Sequence, residues 1–102
     1  MLRPYQKAYL KSLANNISQR YLLGKTDIDA GFLKEIDTAL EAKELIKVGL
    51  LQNCPSKPKD IGERLAHALG CDVVQTIGRV IVLYRRSEKN PRIEVPTRKE
   101  EK

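Results

Sequence analysis

Tyr21-Leu22-Leu23-Gly24-Lys25-Thr26-Asp27-Ile28 runs from a short apolar stretch into a glycine-led turn and then into an amphipathic stretch. A strand that feeds a turn and then a helix begins a crossover connection, so these residues point to an α/β fold. They also carry a chemical suggestion. A helix N-terminus presents unpaired N–H groups and partial positive charge, and a preceding glycine lets backbone and anion approach closely. Lys25 adds a mobile cation. Strand–glycine–helix junctions are common and most bind nothing, so the surrounding chain has to decide.

Downstream, the spacing predicts a second helix over residues 27–42, with Ile28, Phe32, Leu33, Ile36, Ala39 and Leu40 as its buried stripe. Thr26 and Asp27 are both candidate N-caps, and Thr26-x-x-Asp29 resembles a capping box with a short acid. The opposite face holds Asp29, Glu35, Asp37 and Glu41, an acidic surface expected to point away from any phosphate backbone. Residues 45–51 alternate as a strand, and Gly49 within it hints at a close backbone approach or a bulge. A loop with Pro55 and Pro58 leads to a third helix over residues 58–69, with Ile61, Leu65, Ala66 and Leu69 inward and Gly70 as its stop.

Residues 71–77 and 79–85 are β-branched runs parted by Gly78, the pattern of a tight antiparallel hairpin. Val80-Ile81-Val82-Leu83 is the most apolar window in the chain and suits a central strand buried on both faces. Upstream, residues 4–15 form the first helix, with Pro4 in its first turn and Leu2, Leu10, Leu13 and Ala14 at helical spacing. The order is α-β-α-β-α-β-β. Right-handed crossovers imply a two-layer α/β domain with a four-stranded, mostly parallel mixed sheet whose last strand is antiparallel. The domain is expected to span residues 1–96, with a charged tail over 97–102.

At 102 residues the chain suits one domain with a modest core. No apolar run approaches the ~20 residues of a membrane span, and the N-terminus lacks a secretory h-region, so a cytoplasmic monomer is the expectation. Cys54 and Cys71 form no C-x-x-C pair and are expected to be free, mostly buried thiols. The lone His67 makes no zinc site with them, and it has no nucleophile or carboxylate partner at catalytic spacing. The reading is therefore a non-enzyme with no metal, cofactor or small-molecule substrate.

The net charge of +6 calls for a polyanionic partner, and its distribution is polarised. Residues 1–25 carry five basic side chains and no acid, whereas residues 26–45 carry two basic and six acidic ones. Arg3, Lys7 and Lys11 stand four apart and so stack on one helix face, where they repel one another until an external anion relieves them. Arg79 beside the hairpin glycine, with Arg85 and Arg86 after the last strand, adds further cations.

Gln6-Lys7-x-x-Leu10-Lys11-x-Leu13-Ala14, Leu23-Gly24-Lys25, Ala39-Leu40-Glu41-Ala42-Lys43-Glu44-Leu45-Ile46-Lys47-Val48 and Val74-Gln75-x-Ile77-Gly78-Arg79-x-Ile81-Val82-Leu83-Tyr84-Arg85 follow one another in that order. With these motifs the chain resembles the YhbY-like family, the stand-alone bacterial form of the CRM (chloroplast RNA splicing and ribosome maturation) domain. The resemblance implies a sheet similar to that of the C-terminal domain of a bacterial translation initiation factor. It also implies RNA binding in association with precursors of the large ribosomal subunit. The family carries a Gly-x-x-Gly loop similar to that of KH domains. Gly24 matches its first glycine and Asp27 stands at the second. An aspartate there can cap the helix, taking the amides that a phosphate would use, and it repels the phosphate besides.

The expected RNA contacts are Gly24, Lys25, Thr26 and Asp27 in the loop, with Arg3, Lys7, Lys11, Arg79, Arg85 and Arg86. Tyr5 or Tyr9 is available to stack on an unpaired base. The alternative is a protein-binding adaptor of ribosome assembly that docks through the acidic second helix.

Overall fold

Val80–Tyr84 is the strand around which the sheet is built, and a computed structural model of the chain places it between two others. The structure describes residues 2–24, 28–91 and 93–94. In chain order the elements are α1 (Pro4–Ala14), β1 (Tyr21–Leu23), α2 (Ala30–Lys43), β2 (Leu45–Leu50), α3 (Pro58–Leu69), β3 (Asp72–Ile77) and β4 (Val80–Tyr84). The sheet order is β1-β2-β4-β3, with β1 parallel to β2 and β4 antiparallel to both its neighbours. Three strands point one way and the last runs against them, as its sequence suggests. Because β4 inserts between β2 and β3, only the β1–β2 pair is hydrogen-bonded in parallel.

The two-layer expectation is corrected by the packing. Against one face lie α2 and α3, whose Ile36, Leu40, Ile61 and Leu65 meet Ile46, Val48, Ile81 and Leu83. The alternate positions of the same strands, Leu45, Val82 and Tyr84, join Val74 and face Leu10 and Ala14 of α1. The sheet is thus covered by one helix on one side and two on the other. The reason lies in β2 and β4, which are apolar at successive positions and would waste one face in a two-layer arrangement.

Local chemistry explains the boundaries. Pro4 opens α1, and Gln6 Oε1 accepts the Arg3 N–H at 2.8 Å. Gly70 ends α3 in the left-handed region at φ +64°, and Gly78 turns the hairpin at φ +57°. A Cβ on Gly62 would come within 3.2 Å of Val73 and 3.3 Å of Ile81, so α3 rests its backbone on the sheet there. Cys54 and Cys71 are buried free thiols, and burial pushes Cys71 up to about 11.

Glu44 stands at the junction of α2 and β2 with φ +68°, a conformation that favours glycine. Its side chain is fully buried. The carboxylate accepts the N–H groups of Ser87 at 2.8 Å and Ile93 at 2.7 Å. One helical turn earlier, Glu41 accepts the Ser87 hydroxyl at 2.6 Å and the N–H groups of Glu88 and Lys89 at 3.2 Å. Two carboxylates therefore strap the chain after β4 across the end of α2, and Ile93 reaches the core beneath α1. The predicted tail, 97–102, lies outside the described residues.

The strap has a pH signature. The Ser87 hydroxyl, ahead of the Glu88 and Lys89 amides, holds Glu41 below its ordinary value of 4.5. A depressed carboxylate contributes stability that is present above the unfolded value and lost as pH falls through the folded one. In a titration followed by NMR, the Glu88 and Lys89 amide shifts should therefore move with a midpoint below 4.5, and Glu41→Gln should abolish that movement. A midpoint at or above 4.5 would contradict these hydrogen bonds.

Candidate nucleic-acid interface

α1 is held by Leu10 and Ala14, with Leu2, Leu13 and Ile17 half-buried around them. At 3.6 residues per turn, Lys7 and Lys11 fall on one flank of this stripe, and Tyr5 and Tyr9 fall on the other. Lys11 is exposed and Lys7 half-buried, while Tyr9 is exposed and Tyr5 half-buried. Arg3 is the exposed N-cap residue at the start of the same helix. The C-terminal end of this segment is tied to the sheet by Lys47, whose Nζ donates to the Ile17 carbonyl at 2.7 Å. The cationic flank is thus a fixed surface of the fold.

Gly24 directly follows β1, where the Leu51 N–H donates to the Leu23 carbonyl at 2.9 Å. Lys25, Thr26 and Asp27 lie outside the described residues. The helix start, however, is not where the sequence suggests. α2 begins at Ala30, and Asp29 is its N-cap, accepting the Phe32 N–H at 2.8 Å. The expectation of Thr26 or Asp27 as cap, and of a Gly-led turn opening directly on the helix, is therefore corrected. Three residues with capping side chains, Thr26, Asp27 and Asp29, precede the helix, and Asp29 is the one directly before the first helical position.

The three C-terminal arginines divide. Arg79 turns inward, donating from Nε to the Leu50 carbonyl at 3.1 Å and from Nη2 to those of Leu51 at 2.7 Å and Cys54 at 3.4 Å. Arg85 links three elements. Its guanidinium meets the Asp37 carboxylate at 2.6 Å and donates to the Asp37 and Leu69 carbonyls, each at 3.0 Å. Arg86 is exposed. Gly24 and Arg79 stand at the end of the sheet where β1, β2 and β3 finish. Arg85 and Arg86 stand about 20 Å away, where β4 finishes.

The acidic face of α2 is likewise engaged by its own chain. Asp37 pairs with Arg85, and Glu41 holds the strap. Sequence reasoning passed over Arg20, an exposed cation whose stem lies over Gly49. The hint of a close approach at Gly49 was the available signal. Among the described residues no group of His, Cys, Asp and Glu is arranged to hold a metal, and no helix is long and apolar enough to cross a membrane.

Comparison with known proteins gives a consistent result. Residues 2–85 match the CRS1 / YhbY (CRM) domain. The chain is 43% identical over 96 residues to the "Probable RNA-binding protein YqeI" of Bacillus subtilis, covering 94% of this chain and 100% of that one. It is 36% identical over 91 residues to an "RNA-binding protein" of Haemophilus influenzae, covering 89% and 91% of the two chains. The solution structure of the hypothetical protein SAV1595 from Staphylococcus aureus matches with a TM-score of 0.78 and 46% identity, over 94% of this chain and all of that one.

Proposed function

We propose, from the premise that this chain belongs to the CRS1 / YhbY (CRM) domain family, that it binds RNA and acts through binding alone, without catalysis. The finer reading is that a cytoplasmic monomer contacts ribosomal RNA and assists assembly of the large ribosomal subunit, which rests on the family resemblance. The observation that carries the binding reading is the acid-free segment 1–25, whose α1 presents Lys7 and Lys11 on one flank of a helix anchored to the sheet. Arg3 and Arg86 extend the cationic surface, and the loop of Gly24, Lys25, Thr26 and Asp27 is its second element. Arg79 and Arg85 are the weaker members, because their guanidinium groups already serve carbonyls and Asp37. The adaptor alternative has less support, since Asp37 and Glu41 on its proposed docking face are occupied within the molecule.

The test is salt dependence. With four or five phosphate contacts, log affinity for RNA should fall against log salt with a slope of about −3 to −4. Lys7→Ala and Lys11→Ala should each weaken binding across all sequences and flatten the slope by about 1. A nearly flat wild-type slope, or lysine variants that leave it unchanged, would sink the backbone-contact reading.

A further inference from the structure

The face of the sheet that carries α1 is only partly covered by it. The register places Leu22 beside Gly49, Gly49 beside Val80, and Val80 beside Ile77. Paired residues point to the same side, so these four form one cross-strand row over the whole sheet, on the α1 side. The row lies at the end where Gly24 and the hairpin turn stand, whereas α1 packs further along, on Leu45, Val82 and Tyr84. Leu22 and Ile77 are each 57% exposed, which is unusual for large aliphatic side chains aligned on one surface.

The floor of the row is tight. A Cβ on Gly49 would come within 3.2 Å of Leu22 Cδ2 and 3.5 Å of Arg20 Cδ, so the Arg20 stem and Leu22 lie over the glycine backbone together. Arg20 is exposed and, among the described residues, makes no hydrogen bond or ion pair. The neighbouring row is Lys47, Val82 and Gln75. Neither row contains an acid, and the only acid in the four strands, Asp72, pairs with Tyr84 at the opposite end.

We infer that this row is a shelf for the bases of single-stranded RNA, with Leu22, Val80 and Ile77 under the base faces and Arg20 on the adjoining phosphate. The partner must be anionic along its length and must offer flat apolar faces beside that charge. An unpaired RNA strand supplies both, whereas a duplex hides its bases. Four strands span about 14 Å from first to last, enough for two or three unstacked nucleotides. Leu22 also lies two residues before Gly24, in the strand that Gly24 directly follows. The inference rests on the RNA-binding reading above and assigns part of that binding to the bases.

The experiment compares the wild-type protein with Leu22→Thr/Ile77→Thr, which keeps β-forming residues at two exposed positions. The probes are an oligoadenylate of about 12 nucleotides and an abasic strand of the same length. Wild-type protein should prefer the oligoadenylate by about tenfold, and the double variant should lose that preference while keeping its salt slope. Ile77→Tyr should strengthen binding to the oligoadenylate and leave the abasic strand unchanged. Retention of the preference in the double variant overturns the shelf, as does wild-type protein that binds both probes equally. A wild-type self-association that the double variant abolishes, with RNA binding unaltered, also overturns it and makes the row a contact between copies. Wild-type protein that binds neither probe overturns the RNA-binding reading itself.

Discussion

Leu10→Ala should lower the unfolding free energy by about 3 kcal/mol, with a smaller urea midpoint at an unchanged slope. Leu10 is fully buried, and the core beneath α1 otherwise has Ala14 as its only buried residue from that helix. Removing it deletes the main anchor between α1 and the strands Leu45, Val74, Val82 and Tyr84 supply. The half-buried Leu2, Leu13 and Ile93 at the margin can collapse partly into the space, which holds the cost below the ~5 kcal/mol extreme of such substitutions. Leu10→Met, close in volume, should cost less than about 1.5 kcal/mol. The α2–α3 core on the other face of the sheet is a separate cluster and still holds Ile81 and Leu83 of β4, so amide exchange should accelerate first in α1 and only later in β4. A loss under about 1 kcal/mol would mean that α1 is not held by this contact.

Glu44→Ala should be of similar size, about 3 kcal/mol, for a different reason. It leaves the Ser87 and Ile93 N–H groups without their acceptor inside the protein, and each such group costs about 1–3 kcal/mol. It also keeps a side chain at φ +68°, where glycine is favoured. Glu44→Gly should therefore be less damaging than Glu44→Ala by up to about 1 kcal/mol, although both lose the carboxylate. Urea unfolding gives the energies, and limited proteolysis should report new cleavage near Ser87 to Asn90. Alanine and glycine variants of equal stability would show that the left-handed backbone is not a source of strain there.

The two cases mark the boundary of what this chain reveals before it folds. Pro4, Gly70 and Gly78 punctuate it with residues whose backbone preferences act locally, so helix ends and the hairpin could be read directly. The central place of Val80–Tyr84 was legible from its unbroken apolar run. The same run already required cover on both faces, but an amphipathic helix such as α1 carries no mark of which face it will choose. Caps were harder, since Thr26, Asp27 and Asp29 have the same chemistry and only the backbone path selects among them. Arg79 and Arg85 look like surface cations in sequence, and their carbonyl and Asp37 partners lie 16 to 48 residues away. The burial of Glu44 was not legible, although the residue stands in a motif of the family resemblance, because a buried glutamate needs partners that only the returning chain brings. The cationic stripe of α1 was visible for the opposite reason: its spacing is local and its surroundings hold no acid.

The place of β4 bears on how the molecule is made. β4, the last of the described strands, lies between β2 and β3, so the earlier strands amount to a short parallel pair and an unpaired β3 until it arrives. Val82 and Tyr84 are also the floor on which the N-terminal helix settles. Closing contacts between α1 and β4, some seventy residues apart, is entropically slow and cannot begin before β4 has been made. α1, which precedes β4 in the chain, is consequently among the last of these elements to be fixed, and its cationic face becomes ordered only once β4 has been inserted.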